Sequence, residues 1–196
     1  MQSTLSDTSP RYLAGVTTGT LVLTCFGALW SLQGPRIMLL ITPVVTAVLL
    51  VLCLTTKQTV RQLPQKPEPP ERQAQNQKVA RRFGIVCAGE FAAIAALLLL
   101  LRLFNHSEYA APVICLIVGL HFLPLASFFK VWVYTLTGVA LSLLGVGALL
   151  ALLFGVTFGD LYTWSVIVGL GAAGVLWLTS LFNLARVRQA LRLKRV

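Results

Sequence analysis

The chain reads as an all-α, polytopic membrane protein with six transmembrane helices and both ends on the cytoplasmic side. Three observations lead there. It is 57% hydrophobic and only 11% charged over 196 residues, whereas soluble domains are near half apolar and about a quarter charged. Six apolar stretches, each of roughly the 20 residues a helix needs to cross the hydrocarbon core, use most of its length. Fourteen of the sixteen Lys and Arg residues then fall on one side of the spans, the asymmetry that marks cytoplasmic segments.

The elements follow in order. Residues 1–11 form a polar cytoplasmic N-terminus with Asp7 and no basic run ahead of the apolar stretch. That is unlike a signal peptide, so the first span is expected to stay uncleaved. The Leu-Thr-Cys ending at Cys25 has Thr where a lipoprotein cleavage site wants Gly or Ala. Span one, residues 12–32, is unusually polar, carrying Thr17, Thr18, Thr20 and Thr24; such hydroxyls bond back to a carbonyl one turn earlier. Gln33-Gly34-Pro35-Arg36 supplies the reversal. Span two, residues 37–56, contains Pro43 beside Thr42 and Thr46. Proline donates no backbone N–H, so a kink is expected there.

Residues 57–82 make a proline-rich basic linker with Pro64, Pro67, Pro69 and Pro70. Around its prolines it is expected to be extended or disordered, and residues 73–82 to continue as helix into span three. Span three covers 83–103 and closes in Asn105-His106-Ser107-Glu108. Span four covers 111–129, and Lys130 marks a very short turn. Span five runs to 154, the loop 155–160 follows, and span six covers 161–185. A basic cytoplasmic tail, 186–196, ends the chain. The linker thus divides the membrane part into a helical hairpin, 12–56, and a four-helix unit, 83–185.

Aromatic anchors agree with this orientation, with Tyr12, Trp132 and Tyr134 at the inner interface and Trp30, Tyr109, Tyr162 and Trp164 at the outer one. Small residues recur at Gly147, Ala151 and Gly155, and at Gly169 and Ala173. Such ridges bring helices close, either inside one bundle or between copies in a homo-oligomer. No sequence repeat relates the two halves, so a transporter of inverted repeats gains no support.

Glu90 is the single acid inside a span. There a carboxyl group costs several kcal/mol unless it is paired, protonated or facing water. It lies eight residues past Arg82, about 12 Å in from the cytoplasmic side. His121 lies nine residues before Lys130, about 13 Å in from the same side. Spans three and four are antiparallel neighbours, so the two reach similar depth. A Glu90–His121 pair would relay a proton, bind a cationic group or hold two helices together. Pro124, one turn on, predicts a second kink with a free carbonyl acceptor beside His121. Asn183, near the inner end of span six, is a candidate for an inner polar cluster.

Other chemistries lack their residues. Cys25, Cys53, Cys87 and Cys115 stand singly with no CxxC or Cys-His spacing, so no metal site is expected. Every lysine lies at or beyond a span boundary, which leaves no Schiff-base lysine for retinal. His106 and His121 differ in depth and do not make a haem pair. No cofactor and no catalytic residue is expected, because neither HExxH, a nucleophile elbow nor paired aspartates occur. The net charge of +10 lies beside apolar spans, where it fixes orientation and favours anionic lipid headgroups of the bilayer rather than nucleic acid.

The stretch Gly119-Leu120-His121-Phe122-Leu123-Pro124-Leu125-Ala126, followed by Phe128 or Phe129, then Tyr134 and Gly138, resembles a family of small uncharacterised bacterial integral membrane proteins. The resemblance covers about a third of the chain, spans three to five, including an acid at the place of Glu90. It implies a six-helix protein and marks His121 and Pro124. Three functions remain in play: a transport or permeation protein of the inner membrane using Glu90, a structural or regulatory subunit working through linker and tail, and an intramembrane enzyme with His121 as base.

Overall fold

The computed structural model describes residues 10–63, 70–129, 131–156 and 162–193, and no strand occurs among them. Six α-helices follow one another: α1 (Pro10–Ser31), α2 (Met38–Arg61), α3 (Pro70–Leu103), α4 (Ala110–Phe129), α5 (Trp132–Leu153) and α6 (Tyr162–Leu193). All six are long and apolar enough to cross a membrane.

Three helices outrun the apolar stretches that predict them. α2 continues to Arg61, α3 begins at Pro70, and α6 runs on to Leu193 through most of the expected tail. Once a helix is nucleated, each further residue adds a hydrogen bond at little cost. The segment Gln-Ala-Gln-Asn-Gln-Lys-Val-Ala-Arg-Arg ahead of Phe83 offers no Gly or Pro to stop it. Pro70 opens α3, where its missing N–H would find no partner anyway. The two helices leave only residues 62–69 of the expected linker between them. Pro64, Pro67 and Pro69 lie outside the described residues, as do Lys130, 1–9, 157–161 and 194–196.

The chain forms two compact units, Met1–Pro67 with Leu176–Val196, and Glu68–Val175. The second half of α6 therefore belongs with the hairpin, although the sequence groups the whole last span with spans three to five.

In the first unit, α1 and α2 make the hairpin, and its turn is closed by Gly34 N donating to Ser31 O at 3.0 Å and Met38 N to Pro35 O at 2.7 Å. Thr17, Thr20 and Thr24 are buried, and each hydroxyl donates to the carbonyl four residues back, at 2.7, 2.8 and 2.9 Å. With their protons satisfied locally, these threonines pack at a helix seam without an unpaired hydroxyl donor. Across that seam Trp177 Nε1 donates to Thr24 O and Ser180 Oγ to Thr20 O, both at 3.4 Å. A cluster of Leu13, Val60, Val187, Ala190 and Leu191 knits the start of α1 to the ends of α2 and α6.

The second unit is organised around α4 and α5. A β-carbon on Gly119 would lie 2.6 Å from Ser142 N, and one on Gly145 would lie 2.8 Å from Leu116 N. The helices are thus in backbone contact, and Cys115 Sγ reaches Leu141 O at 3.4 Å. Gly147, from the ridge read in the sequence, is not part of this seam. Gly147 faces open space, and Gly155, at φ +65°, is the left-handed cap ending α5, where Val156 N donates to Ala151 O at 2.8 Å. The seam runs through Gly119, Gly138, Ser142 and Gly145 instead. Asn105, at φ 57°, ends α3 in the same manner.

Candidate functional site

α3 presents one stripe to its unit. Phe83, Val86, Glu90, Ile94, Leu97 and Leu101 are half-buried, the three-and-four spacing of one helical face. No residue of its span is fully buried. Glu90 stands at the middle of that stripe, facing α4.

On α4 the glycine seam with α5 fixes the helix so that His121 projects from a different face. Glu90 Oε2 lies 3.2 Å from His121 Nδ1, and the side chains retain only 14% and 9% of their exposure. The predicted pair is thus brought together. The contact is one of charge and proximity, because Nδ1 has no aligned hydrogen-bond partner. Beside it, His121 meets Phe122 edge-on at 6.3 Å, and Phe122 meets Tyr134 at 5.9 Å. Phe122 and Tyr134 are buried, so one flank of the imidazole is an aromatic wall that excludes water.

The remaining candidates take no part in this contact. α4 runs through Pro124 and α2 through Pro43 without interruption, and Ser127 Oγ donates to Pro124 O at 2.8 Å. Beside Pro43, Thr42 is bonded to Ser31 at 2.8 Å, while the buried Thr46 hydroxyl lacks a partner. Asn183 belongs to the first unit, where it is buried with its Nδ2 unbonded. It follows Ser180 by one turn on the polar side of α6. Glu90 and His121 belong to the second unit.

No group of three His, Cys, Asp or Glu side chains converges among the described residues, and all four cysteines are free thiols. A cavity of about 380 Å³ opens farther along α3, lined by Ala95, Leu98, Leu99 and Arg102; Glu90 is not part of its lining. The sequence reading does not single out Arg188, whose guanidinium grips the last turns of α2. Its signal is a cation on α6 facing paired hydroxyls, Thr55 and Thr56, and it emerges only once the helices are docked. Comparison with protein-family models, with curated proteins and with solved structures gave no match.

Proposed function

We propose that the chain is a multi-pass protein of a bacterial inner membrane, with both ends cytoplasmic, that moves protons or a proton-coupled solute by way of Glu90 and His121. The 3.2 Å contact between the two carries this reading. A carboxylate beside an imidazolium and a carboxylic acid beside a neutral imidazole have the same total charge. A proton therefore passes between them without placing net charge in the hydrocarbon, where each uncompensated charge costs several kcal/mol. The pair is shielded, so passage requires that α3 move. A span with no buried residue is the one whose displacement sacrifices least packing.

The test uses the full chain in proteoliposomes enclosing a pH-sensitive dye. An imposed proton gradient should dissipate faster than in protein-free vesicles, and Glu90→Gln and His121→Gln should each remove the excess rate. Arg36→Gln, on the α1–α2 turn, should leave it unchanged. A wild-type rate equal to that of empty vesicles defeats the proposal.

A second reading, a regulatory or structural subunit, gains support from the helical extension at residues 70–82. Gln77, Lys78 and Arg81 are exposed there on α3 beyond its apolar span, and a helix of that polarity suits contact with a soluble partner. Replacing Lys78 and Arg81 by Gln would abolish function under this reading and spare it under the first.

A further inference from the structure

We infer that the first unit holds the phosphate of an anionic glycerophospholipid in the seam between the C-terminal turns of α2 and α6, with Arg188 as its centre. Arg188 Nε donates to Thr56 Oγ1 at 3.1 Å, and its Nη2 donates to Thr55 Oγ1 at 3.3 Å and Leu52 O at 3.5 Å. The threonine protons are committed elsewhere, Thr56 donating to Leu52 O at 2.7 Å and Thr55 to Val51 O at 2.9 Å. Both hydroxyls therefore present lone pairs to the guanidinium. Arg188 is held by three neutral acceptors, which fix its plane and leave its charge intact.

Nη1 makes no hydrogen bond among the described residues, and Arg188 is exposed. Two N–H donors of a pinned cation thus point away from their protein partners, the geometry that binds phosphate oxygens. The described residues of this unit include no Asp or Glu at all. Lys57 and Arg61 on α2, with Arg186 and Arg192 on α6, stand at the same end, because the Leu13–Val60–Val187–Leu191 cluster draws those helix ends together. Arg186 lies over the Phe182 ring at 5.8 Å. Arg192 follows Arg188 by one helical turn on the same face of α6.

What distinguishes a lipid from a soluble phosphate is the surface leading away from the cation. Val44, Val48 and Val51 are exposed and precede Thr55 at intervals of three and four, so they form one apolar stripe along α2 that ends at the guanidinium. Headgroup charge and acyl chain are matched in the order a bilayer lipid presents them. Basic pockets between helices at a membrane surface take anionic headgroups in this way. The inference stands independently of the role given to Glu90 and His121.

The experiment is native mass spectrometry of the full chain released from micelles containing equal phosphatidylglycerol and phosphatidylcholine. Wild-type protein should retain phosphatidylglycerol preferentially. Arg188→Gln and Arg192→Gln should each lower that retention about fivefold, the worth of one cation beside anionic headgroups. Arg36→Gln, on the α1–α2 turn away from this end, should leave it unchanged. Thr55→Val keeps every charge and should also weaken retention, which separates a positioned site from diffuse attraction. Equal retention of the two lipids by wild type, or undiminished retention by Arg192→Gln, overturns the inference. So does full displacement of the lipid by millimolar inorganic phosphate, which would mark a site for a soluble anion.

Discussion

Gly119 and Gly138 meet backbone to backbone: a β-carbon on Gly119 would lie 2.9 Å from Gly138 O, and one on Gly138 would lie 2.8 Å from Gly119 O. Neither neighbour is a flexible side chain that can swing aside, so the whole α4–α5 seam must shift to admit a methyl group. Alanine gains about 1 kcal/mol of helix propensity over glycine, but overpacking of a close seam costs about 1–3 kcal/mol. Gly119→Ala and Gly138→Ala should therefore lower the unfolding midpoint in detergent. Gly147→Ala, which meets open space, should leave it unchanged or raise it. A Gly138→Ala midpoint at or above wild type would show that the helices do not approach this closely.

Ser31 and Thr42 join the two helices of the hairpin through one hydroxyl–hydroxyl bond of 2.8 Å. Ser31 Oγ already donates to Ala28 O at 2.7 Å, so Thr42 is the donor and Ser31 the acceptor. Interhelical hydrogen bonds of this kind average about 0.6 kcal/mol in membrane proteins. Ser31→Ala and Thr42→Val should each destabilise by roughly that amount, and the double variant should cost less than the sum. Strict additivity in a double-mutant cycle of unfolding free energies would remove the bond from the account.

The number of apolar helices was legible because apolar length alone decides it: each of the six is long and apolar enough to cross a membrane. Helix ends were less legible. Residues 57–61, 70–72 and 186–193 read as linker and tail, while 73–82 reads as helix leading into span three, because hydropathy marks the apolar stretch rather than the helix, and a helix once started adds residues at little cost. The pairing of Glu90 with His121 followed from equal depth on neighbouring antiparallel spans, a relation that sequence spacing carries. Which small residues pack inside the bundle was less legible, for the opposite reason. Gly147-Ala151-Gly155 and Gly138-Ser142-Gly145 have nearly the same spacing, and the face that meets α4 is fixed only by docking. Arg188 is invisible from the chain alone, since its acceptors lie on another helix more than 130 residues earlier.

The Glu90–His121 contact makes a stability prediction separate from any transport. Removing one member of a fully buried ion pair costs about 3–5 kcal/mol, because its partner is stranded. Here both side chains keep some exposure, and the hydrogen-bond alignment is absent, so a loss of about 1–2 kcal/mol is expected for Glu90→Gln and for His121→Gln. The double variant leaves no stranded charge and should fall short of the sum by more than about 0.5 kcal/mol, the usual limit for independent sites. Unfolding of the four proteins in one detergent, followed by tryptophan fluorescence, supplies the cycle. Additive losses would mean that the two side chains do not share a proton or a charge. The relay would then lose its physical basis even if both residues proved necessary for activity.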